Sequence, residues 1–145
     1  MTEAAYPYTS ATGTVAACAY VAGQGVINTV ANSSGVYYVS AAGNTAAVQA
    51  ALNVKPNAIA VHAASAVFQS YTSGVITQGS NCGTVVDHAI TAVGYGTDPT
   101  YGGYFLVQNS WGNTWGDQGY VKLGYSTTAA GVCGMYKNVA YPLTI

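Results

Sequence analysis

Two stretches of the sequence decide the fold: V-D-H-A-I-T-A-V-G-Y-G at residues 86–96 and Q-N-S-W-G-N-T-W-G-D-Q-G-Y at residues 108–120. The first places a histidine before an apolar run that ends in glycines, which is typical of a β-strand bounded by turns. The second has an asparagine at a strand end, two Trp-Gly pairs and a Gly-Tyr pair that opens another strand. Taken singly, His88, Asn109 and the tryptophans have ordinary explanations as strand, turn and core residues.

The rest of the chain predicts two short helices among several strands. We expect a helix from Asn44 or Thr45 to Leu52, because Asn and Thr cap helices and the helix must stop before Pro56. Residues 65–71 predict one or two further helical turns. Strands are expected at 36–39, 58–61, 89–95, 104–108, 119–123 and 139–141. This pattern predicts an α+β fold that is mainly antiparallel β, and no linker divides residues 1–145.

The composition argues against several functional classes. Charged residues make up 5% of the chain and arginine is absent, whereas about 25% is usual. A nucleic-acid partner needs a basic patch and an anionic membrane surface attracts a polybasic one, so neither partner is expected. No window reaches the roughly 18 apolar residues of a membrane span. Residues 1–3 do not open a signal peptide, so a secreted or vacuolar protein is expected to carry its targeting segment upstream.

The two stretches, with others in the same order, resemble the papain family of cysteine proteases. The other matching segments are Tyr6-Pro7-Tyr8, Phe68-Gln69-x-Tyr71-x-Ser73-Gly74-Val75, Gly131–Met135 and Tyr141-Pro142. The resemblance covers almost the whole chain and implies the right-hand, β-barrel-like lobe of a papain-like fold. The family's helical lobe carries the nucleophile in a segment like Cys-Gly-Ser-Cys-Trp and has no counterpart here. Residues 1–145 are therefore interpreted as a partial papain-like unit without its N-terminal lobe.

The resemblance implies roles for three residues of the quoted stretches. His88 matches the histidine that holds the thiolate as an imidazolium and protonates the leaving amine. Asn109 matches the asparagine that orients this imidazole. Trp111 is expected over the pair, where it keeps water away and strengthens the hydrogen bond. The implied activity is that of a cysteine endopeptidase, with protein or peptide substrates.

Further positions match substrate-binding residues of the family. Four of them correspond to the main specificity pocket, namely Ala60, Val86, Ala89 and Asn138. This small apolar wall predicts preference for an apolar or aromatic P2 side chain, the second before the cleaved bond. Two interpretations of Asp87 stay open: its backbone contacts substrate, or its carboxylate serves a turn or a cap. Trp115 has two possible roles, either forming the leaving-group side of the site or packing.

The cysteine count is odd, and Cys18, Cys82 and Cys133 leave one unpaired under any internal bridge. By the resemblance, Cys82 pairs with Cys133. Cys18 matches a position that bridges to the helical lobe, so that lobe is the expected disulfide-linked partner. Asn32 begins the chain's one N-x-S/T sequon, a candidate glycosylation site. These features favour a lysosomal, vacuolar or extracellular location.

Other interpretations remain open at this stage. One is an inactive papain-like homologue or a truncated fragment that binds peptides or proteins. Another is a structural or carbohydrate-binding β domain, suggested by the low charge and the many tyrosines. We expect no metal or organic cofactor. His62 is interpreted as structural, because the third and fourth ligands that zinc needs beside it and His88 are not evident.

Overall fold

The computed structural model describes residue 17 and residues 35–143. Residues Val36–Pro142 form one compact unit. The other unit, Met1–Gly35 with Leu143–Ile145, lies almost wholly outside the described residues. The predictions made for Tyr6-Pro7-Tyr8, Cys18 and Asn32 therefore fall outside what the structure describes.

The compact unit is built on a six-stranded sheet in which every strand pair is antiparallel. The strands in chain order are β1 Val36–Tyr38, β2 Asn57–Val61, β3 His88–Asp98, β4 Gly102–Gln108, β5 Tyr120–Gly124 and β6 Val139–Pro142. The helices are α1 Thr45–Leu52 and α2 Ala66–Gln69. Across the sheet the order is β1-β6-β2-β3-β4-β5. The predicted class, α+β and mainly antiparallel, is confirmed.

Helix α1 begins and ends where the sequence predicts. The Asn44 side chain accepts a hydrogen bond of 3.0 Å from the Ala47 amide and so satisfies one of the free N–H groups of the first turn. The helix ends at Leu52, ahead of Pro56. Its buried residues, Val48 and Ala51, supply the apolar side of the helix to the core.

Strand β3 is longer than predicted, because the glycines at its far end do not stop it. Gly96 pairs with Tyr104 of β4, and a Cβ at Gly96 would lie 2.8 Å from the Tyr104 hydroxyl. The tyrosine thus covers the glycine and keeps the two strands paired as far as Asp98. The register shifts between Ala92 and Gly94, which marks a β-bulge within the strand.

Within residues 35–143 the sheet is open, with β1 and β5 at its edges, and does not close into a barrel. Ile76 adds one parallel bridge to Leu123 beside β5. The core contains side chains from both helices, the sheet and the turn at 132–136. Its largest fully buried members are Phe68, Phe105, Leu123, Met135, Val48, Val61, Val107 and Val121.

A disulfide joins Cys82 to Cys133, with 5.0 Å between their Cα atoms, so the predicted pairing is confirmed. The two cysteines are 51 residues apart. A loop of this length corresponds to about 4 kcal/mol of stabilisation on the chain-entropy estimate. Neither helix within the described residues has the length and apolar character needed to cross a membrane.

Candidate active site

The site forms where the start of β3 meets the end of β4. His88 is the first residue of β3, and Asn109 directly follows β4. Thr91 of β3 pairs with Gln108, the last residue of β4, so Asn109 leaves the sheet close to the start of β3. On the other side, His88 pairs with Val61 of β2. The sheet thereby brings the two quoted stretches of sequence together.

The His88 imidazole and the Asn109 amide form a hydrogen bond of 2.9 Å between Nε2 and Oδ1. The same oxygen accepts a hydrogen bond of 2.8 Å from the Ser110 amide. Because a backbone N–H can only donate, this second bond identifies the atom facing His88 as the oxygen. His88 must then carry a proton on Nε2. Among the described residues Nδ1 has no hydrogen-bond partner, so it is available for proton transfer.

Trp111 covers the imidazole. Its ring stacks on that of His88 with 5.2 Å between centroids and 28° between planes. Asn109 is 9% exposed, whereas Trp111 is 40% exposed and lies on the solvent side. The expected placement of Trp111 over the pair agrees with these contacts. A hydrogen bond shielded from water in this way is electrostatically stronger than an exposed one.

Trp115 packs behind Trp111 rather than beside the imidazole. Its ring lies 5.0 Å from that of Phe68 and 5.9 Å from that of Tyr71, and its Nε1 donates a 3.0 Å hydrogen bond to the Gln69 carbonyl. Phe68 also meets Trp111 edge-on at 5.6 Å. These contacts tie the tryptophan loop to helix α2, and a role of Trp115 on the leaving-group side stays a prediction.

The loop that carries both tryptophans is closed at its base. The backbone N–H of Asn109 donates to the Gly119 carbonyl at 2.9 Å, and the backbone N–H of Gly119 donates to the Trp115 carbonyl at 2.8 Å. At Gly116, φ is +62°, and a Cβ there would lie 2.5 Å from the Tyr120 carbonyl oxygen. Only glycine fits this close approach of two backbone segments.

Asp87 is used as a backbone clamp. Its carboxylate accepts 2.7 Å and 3.1 Å hydrogen bonds from the amides of Ala63 and Ala64. The Ala63 hydrogen bond is the main cause that holds the pKa of Asp87 below its ordinary value, against an opposing contribution from desolvation. The side chain thus caps the loop after β2 next to His88, and the contact between the Asp87 backbone and substrate stays a prediction.

The four predicted pocket residues lie at or just before the ends of β2, β3 and β6. Ala60 pairs with Ala89, and the Ala60 amide donates to the Asn138 carbonyl at 3.3 Å. Val86 precedes β3, and its Cγ1 lies 2.8 Å from where a Cβ of Gly134 would be. The structure therefore places these positions on neighbouring segments beside His88.

The comparisons with known proteins agree with this geometry. The family model described as Papain family cysteine protease matches residues 1–143. The chain belongs to the papain family of cysteine proteases. A curated relative, Cysteine proteinase EP-B 1 of Hordeum vulgare, is 36% identical over 144 residues, which are 99% of this chain and 37% of the relative. The chain thus spans little more than a third of this papain-family protein.

Two solved papain-family structures also match. Bromelain from Ananas comosus, solved with an inhibitor, gives a TM-score of 0.74 at 35% identity and covers 97% of this chain and 61% of its own. The proform of the ragweed pollen allergen Amb a 11, a cysteine protease, gives a TM-score of 0.81 at 28% identity. The match covers 99% of this chain and 41% of the allergen chain. Both likenesses extend along nearly the whole of this chain.

His62 stands apart from the pair. Its Nδ1 is buried and has no hydrogen-bond partner among the described residues, and Gly83 packs directly against the ring. Its amide donates to the Cys133 carbonyl at 2.8 Å. Within residues 35–143 no three His, Cys, Asp or Glu side chains cluster as metal ligands would.

The described part of the site offers proton transfer without a nucleophile. Cys82 and Cys133 are joined to each other, and Cys18 lies outside the described residues. Sequence reasoning missed the carbonyls of Gln69 and Gly119, which hold the tryptophan loop. No side-chain pattern signals a carbonyl acceptor, so these two contacts had no sequence signal.

Proposed function

We propose that this chain supplies the general acid/base histidine and its orienting asparagine to a papain-like cysteine endopeptidase. The observation that carries the proposal is the hydrogen bond from His88 Nε2 to Asn109 Oδ1, 2.9 Å long and covered by Trp111. It leaves Nδ1 as the nitrogen that exchanges a proton with a thiol and a substrate.

The proposed reaction is peptide-bond hydrolysis through a thioester. The cysteine thiol gives its proton to Nδ1 of His88, and the thiolate attacks the peptide carbonyl carbon. His88 returns the proton to the amide nitrogen as the C–N bond breaks, which releases the amine and leaves the thioester. A water molecule then attacks the thioester, giving a proton to His88, and the thiol is restored with release of the carboxylic acid.

A neutral asparagine suits this chemistry because the thiolate already balances the imidazolium charge. The amide oxygen of Asn109 accepts from Nε2 in both charge states of His88, so it orients the ring throughout the cycle. No metal or organic cofactor takes part in the proposed reaction.

The nucleophilic cysteine is proposed to come from a helical lobe outside these 145 residues, held to this chain by a disulfide from Cys18. Cys82 and Cys133 are not available as nucleophiles because they are bonded to each other. Comparing the mass of the purified protein with and without reductant tests the Cys18 bridge. Release of a second chain on reduction supports it, whereas a free Cys18 thiol contradicts it.

The proposed substrates are proteins and peptides with an apolar or aromatic P2 side chain. The positions proposed to line the P2 pocket, Ala60, Val86 and Ala89, carry no charge, and Asn138 gives a neutral floor. A buried disulfide is typical of oxidising compartments, which supports a vacuolar, lysosomal or extracellular location.

The test is peptide cleavage by the whole protein carrying His88→Ala. Loss of the acid/base group lowers kcat/KM by about 10²–10⁴. His62→Gln is the matched control, because it removes the other histidine without touching the His88–Asn109 pair. Thiol-dependent cleavage that needs His88 and survives His62→Gln supports the proposal. Cleavage that survives His88→Ala contradicts it.

A further inference from the structure

The segment from Cys82 to Val86 runs directly into Asp87 and His88, and it lies against the turn from Cys133 to Asn138. The disulfide is one tie between the two segments. Two further ties lie beyond it toward the proposed P2 pocket, one at Gly134 and one at Lys137. Both involve residues to which the proposed reaction gives no role.

Gly134 allows the closest approach of the two segments. A Cβ at this position would lie 2.8 Å from Val86 Cγ1 and 3.2 Å from the Thr84 carbonyl oxygen. The overlap is with the Val86 side chain, and the Thr84 backbone lies close beside it, so a side chain here must shift Val86. The φ angle of Gly134 is +82°, which glycine adopts without strain.

Lys137 joins the same two segments at the surface. Its Nζ donates a hydrogen bond of 2.7 Å to the Thr84 carbonyl. Thr84 is two residues before Val86, and Lys137 directly precedes Asn138. Because Val86 and Asn138 are both proposed pocket residues, this bond between the Lys137 side chain and the Thr84 carbonyl links the segments that carry them.

We propose that Gly134 and Lys137 are positioning residues that fix Val86 relative to Asn138 and thereby set the width of the P2 pocket. The inference rests on the proposed peptidase function. It assigns P2 selectivity to two residues behind the pocket wall as well as to the residues that line it.

The first variant is Lys137→Met, which keeps most of the side-chain volume and removes the ammonium donor. With the tie lost, Val86 moves outward, and a small P2 side chain loses more contact than a large one. The ratio of kcat/KM for phenylalanine over valine at P2 therefore rises about three- to fivefold, as expected for one exposed hydrogen bond. The change falls mainly on KM for the valine peptide.

Two matched variants isolate the contact. Lys137→Arg keeps a donor within reach of the Thr84 carbonyl and restores the wild-type ratio. Lys122→Met removes a lysine on β5, which β3 and β4 separate from β2, and whose Nζ lies over the Tyr104 ring at 5.2 Å. It leaves the ratio unchanged. Gly134→Ala, with its forced displacement of Val86, changes the ratio independently of any lysine.

The measurement uses the whole enzyme and peptides that differ only at P2, together with hydrogen exchange of residues 84–86. A raised ratio and faster exchange in Lys137→Met, with both restored in Lys137→Arg, support the inference. If the wild type cleaves peptides but neither Lys137→Met nor Gly134→Ala alters the ratio, the inference fails and the peptidase proposal stands. If the wild type shows no thiol-dependent cleavage, the peptidase proposal fails, and the P2 inference fails with it.

Discussion

At the scale of single residues, the side-chain amide of Asn109 is held in one orientation by its own neighbour. The Ser110 amide donates to Oδ1 at 2.8 Å, so the same oxygen faces His88. The Nδ2 atom is buried and has no hydrogen-bond partner among the described residues. With the Asn109 side-chain amide reversed, Nδ2 would face the Ser110 N–H and that hydrogen bond would be lost. Asn109 therefore binds Nε2 of His88 through its oxygen and leaves Nδ1 without a bond from Asn109.

Asn109→Ala removes the only described acceptor for His88 Nε2. A hydrogen bond to a charged group is worth about 1.5–3 kcal/mol, so kcat falls about 10- to 100-fold. Steady-state kinetics of the whole enzyme measure the loss. Asn113→Ala, an exposed asparagine in the same loop, is the control and keeps wild-type kcat. An unchanged kcat in Asn109→Ala would contradict the claim that Asn109 orients the His88 imidazole.

Asp87 makes a prediction about pH and stability. Its carboxylate is held at a lowered pKa mainly by the Ala63 amide. Because the folded pKa lies below the unfolded one, the stabilisation is full above the unfolded pKa of about 3.9 and is lost as pH falls through the lower folded pKa. Asp87→Asn therefore unfolds at a lower temperature than wild type near neutral pH.

Thermal unfolding from neutral pH to about pH 2 measures this difference. The gap between wild type and Asp87→Asn narrows as acid protonates the wild-type carboxylate. Asp117→Asn controls for the loss of one negative charge. A gap that stays constant across the whole range would show that the Asp87 clamp does not depend on ionisation.

Sequence reasoning reached the site residues more easily than the contacts that hold them. His88 and Asn109 lie in two stretches with many ordered family matches, so their roles followed from the resemblance. The sequence did not predict which groups the Asp87 carboxylate binds, because a bond to the Ala63 and Ala64 N–H groups depends on how β2 and β3 pair. Such a bond joins residues more than 20 positions apart.

At the scale of elements, the register of β3 with β4 aligns the site. Thr91 pairs with Gln108 at the end of the ladder next to His88 and Asn109. The bulge between Ala92 and Gly94 lies on the side of Thr91 away from His88. The sequence predicted where each strand lies, since apolar runs and glycines mark them. It did not predict that β3 reaches Asp98, because Gly96 is held in the strand by the ring of Tyr104 on another strand.

The tryptophan loop gives a prediction that separates backbone conformation from crowding. Gly116 and Gly102 both have positive φ, but a Cβ at Gly102 meets nothing within 4 Å, whereas at Gly116 it meets the Tyr120 carbonyl at 2.5 Å. Gly102→Ala costs about 1–2 kcal/mol of unfolding free energy from conformation alone. Gly116→Ala costs about 1–3 kcal/mol more, because the clash with backbone adds to it.

Urea unfolding of the two alanine variants measures the difference directly. Gly102→Ala is the matched control, since it carries the same conformational penalty without the contact. Equal losses of stability in both variants would contradict the close approach of the Gly116 and Tyr120 backbones.

At the scale of the whole molecule, the described residues hold a proton-transfer pair and a disulfide-braced sheet but no free thiol. The fold class followed from the strand pattern. The strand pattern did not predict that the sheet stays open. Closure into a barrel depends on which edge strands pair with each other rather than on the residues within each strand. The chain spans 37% of the barley relative, so the catalytic thiol is proposed to lie outside these 145 residues.

The central claim is that His88 and Asn109 serve a thiol from outside this chain. The most direct measurement is to treat the whole protein with iodoacetamide, follow peptide cleavage, and map the labelled cysteines by mass spectrometry. Activity is predicted to fall in step with alkylation of one cysteine outside residues 1–145, with slower alkylation in His88→Ala. Activity that survives complete alkylation, or that falls in step with labelling of Cys18, would contradict the account.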